Sequence, residues 1–167
     1  MSTCTRLGRR RRLRDMARSM VHAGKSSVLM QKPTPIIHIM DDDESFRVSV
    51  SRLLRAAGYN IQTYLNVASF LLARLDEGPG CILLDVRMSG LNGLDLQEAL
   101  ATRAKTLPII FLSGYGDVPG IMRAMKGGAI DFLTKPVRCE ALLSAIQNAL
   151  SREAQKRGSC EAEASAR

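Results

Sequence analysis

Four short apolar runs in this chain each end in side chains able to handle a phosphoryl group, and that recurrence restricts the fold more than any other feature. Ile36 to Met40 leads into Asp41, Asp42 and Asp43; Cys81 to Leu84 into Asp85; Ile109 to Leu112 into Ser113; Ile130 to Leu133 into Thr134 and Lys135. An open parallel sheet collects its site in the crevice outside the carboxyl ends of its strands, so residues almost a hundred positions apart can converge there. A single apolar run followed by an acid means little, because every buried strand must end in something polar. Four in succession point to a shared site.

The segments between these runs carry helical periodicity. Phe46, Val50, Leu53, Leu54 and Ala57 recur at the spacing of one helix face, which Gly58 closes,. Ile61 to Tyr64 predicts a second strand, Val67 to Leu75 a second helix, and Gly78-Pro79-Gly80 a turn into the third strand,. Leu94 to Thr102 predicts a third helix, and Pro108 opens the fourth strand. Asp117 and Pro119 predict the cap and first turn of a fourth helix, which stops at Gly127-Gly128,. Leu142, Leu143, Ile146, Ala149 and Leu150 mark a fifth helix,. Strict strand–helix alternation with continuously apolar strands implies right-handed crossovers and a parallel sheet covered on both faces. The expected fold is therefore a flavodoxin-like α/β sandwich of five strands and five helices over residues 35–152.

The chain has 167 residues, 46% of them hydrophobic, enough for one ordinary core with tails,. Its formal net charge of +8 is carried by residues 1–35, and the remainder is balanced. The basic leader, residues 1–34, reads as a disordered tail, or as untranslated sequence before Met30, in preference to a DNA-binding arm or an organellar transit peptide. Cys4, Cys81, Cys139 and Cys160 show neither C-x-x-C spacing nor a disulfide-like cluster and read as reduced thiols,. No apolar run reaches the roughly 18 residues that span a bilayer, so a soluble cytoplasmic protein is expected. The stretch 153–167, rich in Ala, Glu, Ser and Arg, is expected to be a tail that either extends the last helix or is disordered.

Asp41, Asp42 and Asp85 would crowd one crevice with carboxylates, which repel unless a cation neutralises them. A hard divalent ion such as Mg²⁺, taking oxygen ligands and sharing a phosphate oxygen, suits such a set. On its own the triple acid reads as a solvated loop. Asp85 is different: it directly follows four apolar residues at a strand tip, and a carboxylate there can accept a phosphoryl group as an acyl phosphate. That transfer requires in-line positioning and charge neutralisation, for which Lys135 is a candidate. Lys135 precedes Pro136, and a cis bond there would turn the ammonium back over the sheet. Ser113 offers a hydroxyl to phosphoryl oxygens. Neither His22 nor His38 is placed to activate it as a nucleophile.

The segments IIHIMDDDESFR, CILLDVRMSGLNGLDL, IIFLSGYGDVPGIMRAMKGGAIDF and LTKPV together resemble the receiver domains of bacterial two-component response regulators, most closely the FixJ-type subgroup, over residues 35–152. The resemblance implies a CheY-like sheet of order 2-1-3-4-5. It implies that Asp85 accepts phosphate from a histidine kinase or phosphotransfer protein, and that Mg²⁺ is held by Asp42, Asp85 and the Arg87 backbone carbonyl, with Asp41 acting through water. Lys135 would contact the phosphoryl group, and Ser113 and Phe132 would occupy the switch hydroxyl and switch aromatic positions. Output would pass through the surface of the fourth helix, fifth strand and fifth helix to a downstream protein partner in a phosphorelay, the same surface being a candidate homodimer face. Such a domain is not a turnover enzyme; it promotes only its own phosphorylation and dephosphorylation. Two positions depart from the family pattern: Ser89, where proline is usual, is expected to loosen the loop after Asp85, and Gly127, where alanine is common, to soften the end of the fourth helix.

Two rival readings follow from the same residues. The chain is either a stand-alone receiver or the receiver part of a FixJ-type DNA-binding transcription regulator lacking its effector. An aspartyl phosphatase of the haloacid dehalogenase type is weaker, because that pattern places an acid two residues after the nucleophile, where Arg87 stands here.

Overall fold

The structure is a computed structural model that describes residues 33–73, 78–90, 92–102, 107–114 and 116–166; residues 1–32, with Cys4 and His22, lie outside them. Among the described residues, five strands alternate with five helices: β1 (Ile36–Met40), α1 (Glu44–Ala56), β2 (Asn60–Tyr64), α2 (Val67–Leu72), β3 (Gly80–Asp85), α3 (Gly93–Ala101), β4 (Ile109–Ser113), α4 (Val118–Lys126), β5 (Asp131–Thr134) and α5 (Cys139–Ser165). The strands form one parallel sheet in the order β2-β1-β3-β4-β5. Reversal of direction about β1 places the tips of β1 and β3 side by side, as expected of a topological switch point.

Every residue of β3 and β4 is buried, as the apolar runs predict, and alternate side chains serve opposite faces,. Ile37, Ile39, Cys81, Leu83, Ile110 and Leu112 pack with Val50 and Leu54 of α1 and Leu142, Ile146 and Ala149 of α5. Met40, Ile82, Leu84, Ile109 and Phe111 pack on the other face with Phe70 of α2, Leu94, Leu96 and Leu100 of α3, and Ala124 of α4. Burial pushes the Cys81 thiol up to about 12, which makes it an inert core residue,. Cys81, Cys139 and Cys160 are free thiols.

Helix starts follow local chemistry. Asp43 caps α1 by accepting from the Phe46 amide, Asn92 and Asp95 form a reciprocal capping box on α3, and Asp117 caps α4 with Pro119 in its first turn,. The end of α2 comes sooner than its apolar pattern predicts: Ala73 is already extended, and residues 74–77 lie outside the described set. At the end of α4, a Cβ on Gly127 would lie 2.6 Å from Gln97 Oε1, so the glycine makes room for a buried amide that donates to the Ala124 carbonyl at 2.9 Å and joins α3 to α4.

The last helix continues well past residue 152. Its extension is rich in Ala, Glu, Lys and Arg and is fastened to the turn before β3: Glu153 is buried and paired with Arg157 one turn on, and Arg157 Nη2 donates to the Gly78 carbonyl at 2.6 Å,. Among the described residues, no helix is long and apolar enough to cross a membrane.

Candidate functional site

The carboxyl ends of β1, β3, β4 and β5 bring together the four groups predicted from the apolar runs. Asp85 is the last residue of β3 and Ser113 the last of β4, while Asp41 and Lys135 each follow a strand end directly. Lys135 Nζ lies 2.6 Å from Asp41 Oδ2 and 3.0 Å from Asp85 Oδ2, spanning separations of 94 and 50 residues along the chain. The Lys135–Pro136 peptide bond is cis. The ammonium also sits 4.3 Å from the centroid of the Phe46 ring, whose face adds a cation–π contact,.

The three consecutive acids have three different positions. Asp41 is fully buried, its Oδ1 accepting from the Asp43 amide at 2.9 Å and its other oxygen taken by Lys135. Asp42 is exposed at the rim, and Asp43 caps α1. A solvated loop therefore describes Asp42 and Asp43 but not Asp41. Carboxylate oxygens of Asp41, Asp42 and Asp85 lie within 4.8 Å of one another, three acids against one ammonium. An all-oxygen set with excess negative charge suits a hard divalent cation better than a soft metal.

Burial raises the pKa of Asp85 above the ordinary carboxylate value. The Arg87 amide, donating to Oδ1 at 3.0 Å, and Lys135 pull it back, while the charge of Asp41 adds to the rise. Burial pulls the Lys135 ammonium down, but its hydrogen bonds to Asp41 and Asp85 and their charges outweigh that effect, so its pKa lies above the usual lysine value. The lysine is firmly cationic, and a further cation beside Asp85 would favour its ionised form,.

The β3–α3 loop is tied down at two points. Ser89, predicted to loosen it, donates its hydroxyl to Asp42 Oδ2 at 3.2 Å and so links the loop to the β1 tip. Gly93 allows α3 to approach the site, for a Cβ there would lie 2.5 Å from the backbone oxygen of Asp85. Arg87 turns its guanidinium outward to Asp117, Nε to Oδ2 3.6 Å. Ser113 is fully buried and donates to the Gly114 carbonyl at 3.1 Å, with its own carbonyl accepting from the Lys135 amide at 2.8 Å. Phe132, opposite Phe111 in the β4–β5 register, is half-buried against the core on the α4 face. His38 is buried in an aromatic group with Tyr64 and Phe70, ring centroids 5.9 and 5.7 Å away. Sequence reasoning missed the capping role of Asp43 and the contacts of Ser89 and Arg87. Only the first had a local signal, an Asp immediately before a helical pattern.

Comparison with known proteins matches residues 37–147 to the family model described as response regulator receiver domain. The response regulator protein TmoT of Ectopseudomonas mendocina is 41% identical over 128 residues, covering 77% of this chain and 58% of TmoT. The transcriptional regulatory protein FixJ of Azorhizobium caulinodans is 39% identical over 120 residues, covering 72% of this chain and 57% of FixJ. Among solved structures, the response regulator StyR superposes with a TM-score of 0.74 at 41% identity over 79% of this chain and 67% of that one. The FixJ-N structure superposes with a TM-score of 0.64 at 31% identity over 70% of this chain and 94% of that one. The chain thus spans a little over half the length of these two curated relatives.

Proposed function

This chain belongs to the response regulator receiver domain family, and from that premise we propose that it takes a phosphoryl group onto Asp85 from a histidine kinase or phosphotransfer protein in the cytoplasm. The observation that carries this reading is the single ammonium of Lys135 held between Asp41 and Asp85. In the transfer, an Asp85 carboxylate oxygen attacks the phosphorus of a phosphohistidine. A P–O bond forms as the P–N bond breaks, and the imidazole leaves with the bonding pair and takes up a proton. Asp42, Asp85 and the Arg87 carbonyl would hold Mg²⁺, with Asp41 reaching it through water, and the ion when bound neutralises charge on the phosphoryl oxygens. Lys135 adds a fixed positive charge beside them.

The product adds negative charge and acceptor oxygens at the strand tips. Ser113, whose hydroxyl otherwise donates to its neighbour's carbonyl, moves inward to donate to them,. The Phe132 ring then fills the space behind it, repacking the α4–β5–α5 surface and shifting the population of a state that a downstream partner, or a second copy, binds better. The group is accepted and lost on one residue, as befits a signalling domain rather than a turnover phosphatase.

A second reading concerns what that surface controls. The uncovered two-fifths to one-half of the matched relatives, some named transcriptional regulatory proteins, supports a receiver acting within a larger DNA-binding regulator. The test of the phosphoacceptor assignment is labelling by acetyl phosphate with Mg²⁺. The wild type is expected to gain one acid-stable, base-labile phosphoryl group and Asp85→Asn none, whereas labelling retained in Asp85→Asn overturns it.

A further inference from the structure

The Arg87–Asp117 contact lies outside the group of side chains assigned above, yet it joins the loop after Asp85 to the N-cap of α4. Arg87 belongs to both ends of the connection. Its backbone N–H donates to Asp85 Oδ1 at 3.0 Å, while its guanidinium, 78% exposed, stands 3.6 Å from Asp117 Oδ2. Asp117 is also used twice, because Oδ1 accepts from the Gly120 amide at 3.3 Å and so caps α4. The carboxylate fits only because residue 120 is glycine: a Cβ there would lie 2.6 Å from Oδ2 and 2.8 Å from Oδ1. The pair borders an open groove of about 470 Å³ lined in part by Arg87, Met88, Asn92, Asp117 and Arg123, so the guanidinium has room to swing.

We infer that Asp117 is a positioning residue for the phosphoacceptor site, holding the Arg87 guanidinium away from Asp85 until an anion there competes for it. This inference rests on the assignment of Asp85 as phosphoacceptor and adds a second route from the site to α4, separate from Ser113 and Phe132. An arginine prefers a multiply charged phosphoryl group, with acceptor oxygens in fork geometry, to the single, partly buried carboxylate of Asp117,. As the guanidinium leaves, the Asp117 carboxylate keeps its capping bond but loses its counterion, so the first turn of α4 is no longer tied to the β3–α3 loop. By linkage, whatever holds the start of α4 in place also weakens anion binding at Asp85.

The experiment uses the full chain with Mg²⁺ and beryllofluoride, a non-covalent phosphoryl mimic, followed by fluorine NMR and by backbone amide shifts. Asp117→Asn removes the charge but keeps a side-chain oxygen able to cap the helix. This variant is expected to reach half-saturation at about two- to five-fold lower beryllofluoride, the range of a weak ion pair with one partner exposed to water, with the difference shrinking at high salt,. In the Arg87→Ala background, Asp117→Asn should have no further effect. The Gly120 amide should shift on saturation in the wild type but not in Arg87→Ala. Equal half-saturation of Asp117→Asn and the wild type overturns the inference. So does an undiminished shift in the Arg87→Ala background, which would make Asp117 act by its own charge or through the cap. A wild-type chain that takes up neither acetyl phosphate nor beryllofluoride instead refutes Asp85 as the acceptor.

Discussion

Replacing Asp85 by Asn should make the metal-free protein more stable, although it deletes a hydrogen-bonded ion. At an effective dielectric of about 20, Asp41 repels Asp85 by roughly 3.5 kcal/mol at the 4.8 Å limit of their separation,. On the same scale, Lys135 attracts Asp85 by roughly 5.5 kcal/mol at 3.0 Å,. Asp42, exposed to water, adds little. The modest net attraction is set against desolvation of a nearly buried carboxylate, which costs several kcal/mol,. The balance disfavours the charge, in agreement with a pKa raised chiefly by burial. Asparagine keeps the shape and an acceptor oxygen without the charge, and a gain of about 1–2 kcal/mol is expected, raising Tm by about 3–10 °C.

The assay is urea and thermal unfolding in EDTA across pH. Because the folded pKa of Asp85 lies above 3.8, its proton favours the native state. This group's contribution to wild-type stability is full below 3.8 and is lost as pH rises through the folded pKa,. The advantage of Asp85→Asn is therefore complete at neutral pH and fades as pH falls toward 3.8. Mg²⁺ at a hundredfold excess over its Kd should add about 2.7 kcal/mol to the wild type and reverse the order. A variant no more stable than the wild type at pH 7 in EDTA, or an advantage undiminished at low pH, refutes the reasoning.

Lys135→Ala leaves the buried Asp41 carboxylate without its 2.6 Å partner, and should cost about 2–4 kcal/mol in EDTA, read from the urea midpoint, and slow acetyl phosphate labelling,. Gly93→Ala forces a methyl group to within 2.5 Å of the Asp85 backbone oxygen, and should destabilise by about 1–3 kcal/mol while slowing labelling of the neighbouring side chain; both are read on one preparation,.

Much of this architecture was legible before any coordinates, and the reason is local. Strand and helix periodicities, the turn at Gly78-Pro79-Gly80 and the cap at Asp117 depend only on residues a few positions apart, and the polar residue ending each apolar run marks a strand tip wherever that strand lies. Element ends were less legible. The apolar pattern continues to Leu75 although α2 ends at Leu72, and α5 persists to Ser165, with Glu153 paired to Arg157 and Arg157 docked against the turn before β3.

What the order of residues determined, then, is the layered sandwich and the list of groups at its carboxyl edge. Tertiary structure decided how those groups divide the work: which of three adjacent acids is buried against Lys135, which faces water and which starts a helix. It also decided that Ser89 reaches Asp42 and that Arg87 reaches Asp117. The physical reason is that such pairings join segments far apart in the chain, through strand order, register and the direction of each side chain at its tip. Periodicity encodes the face a residue occupies, but not the partner it meets there.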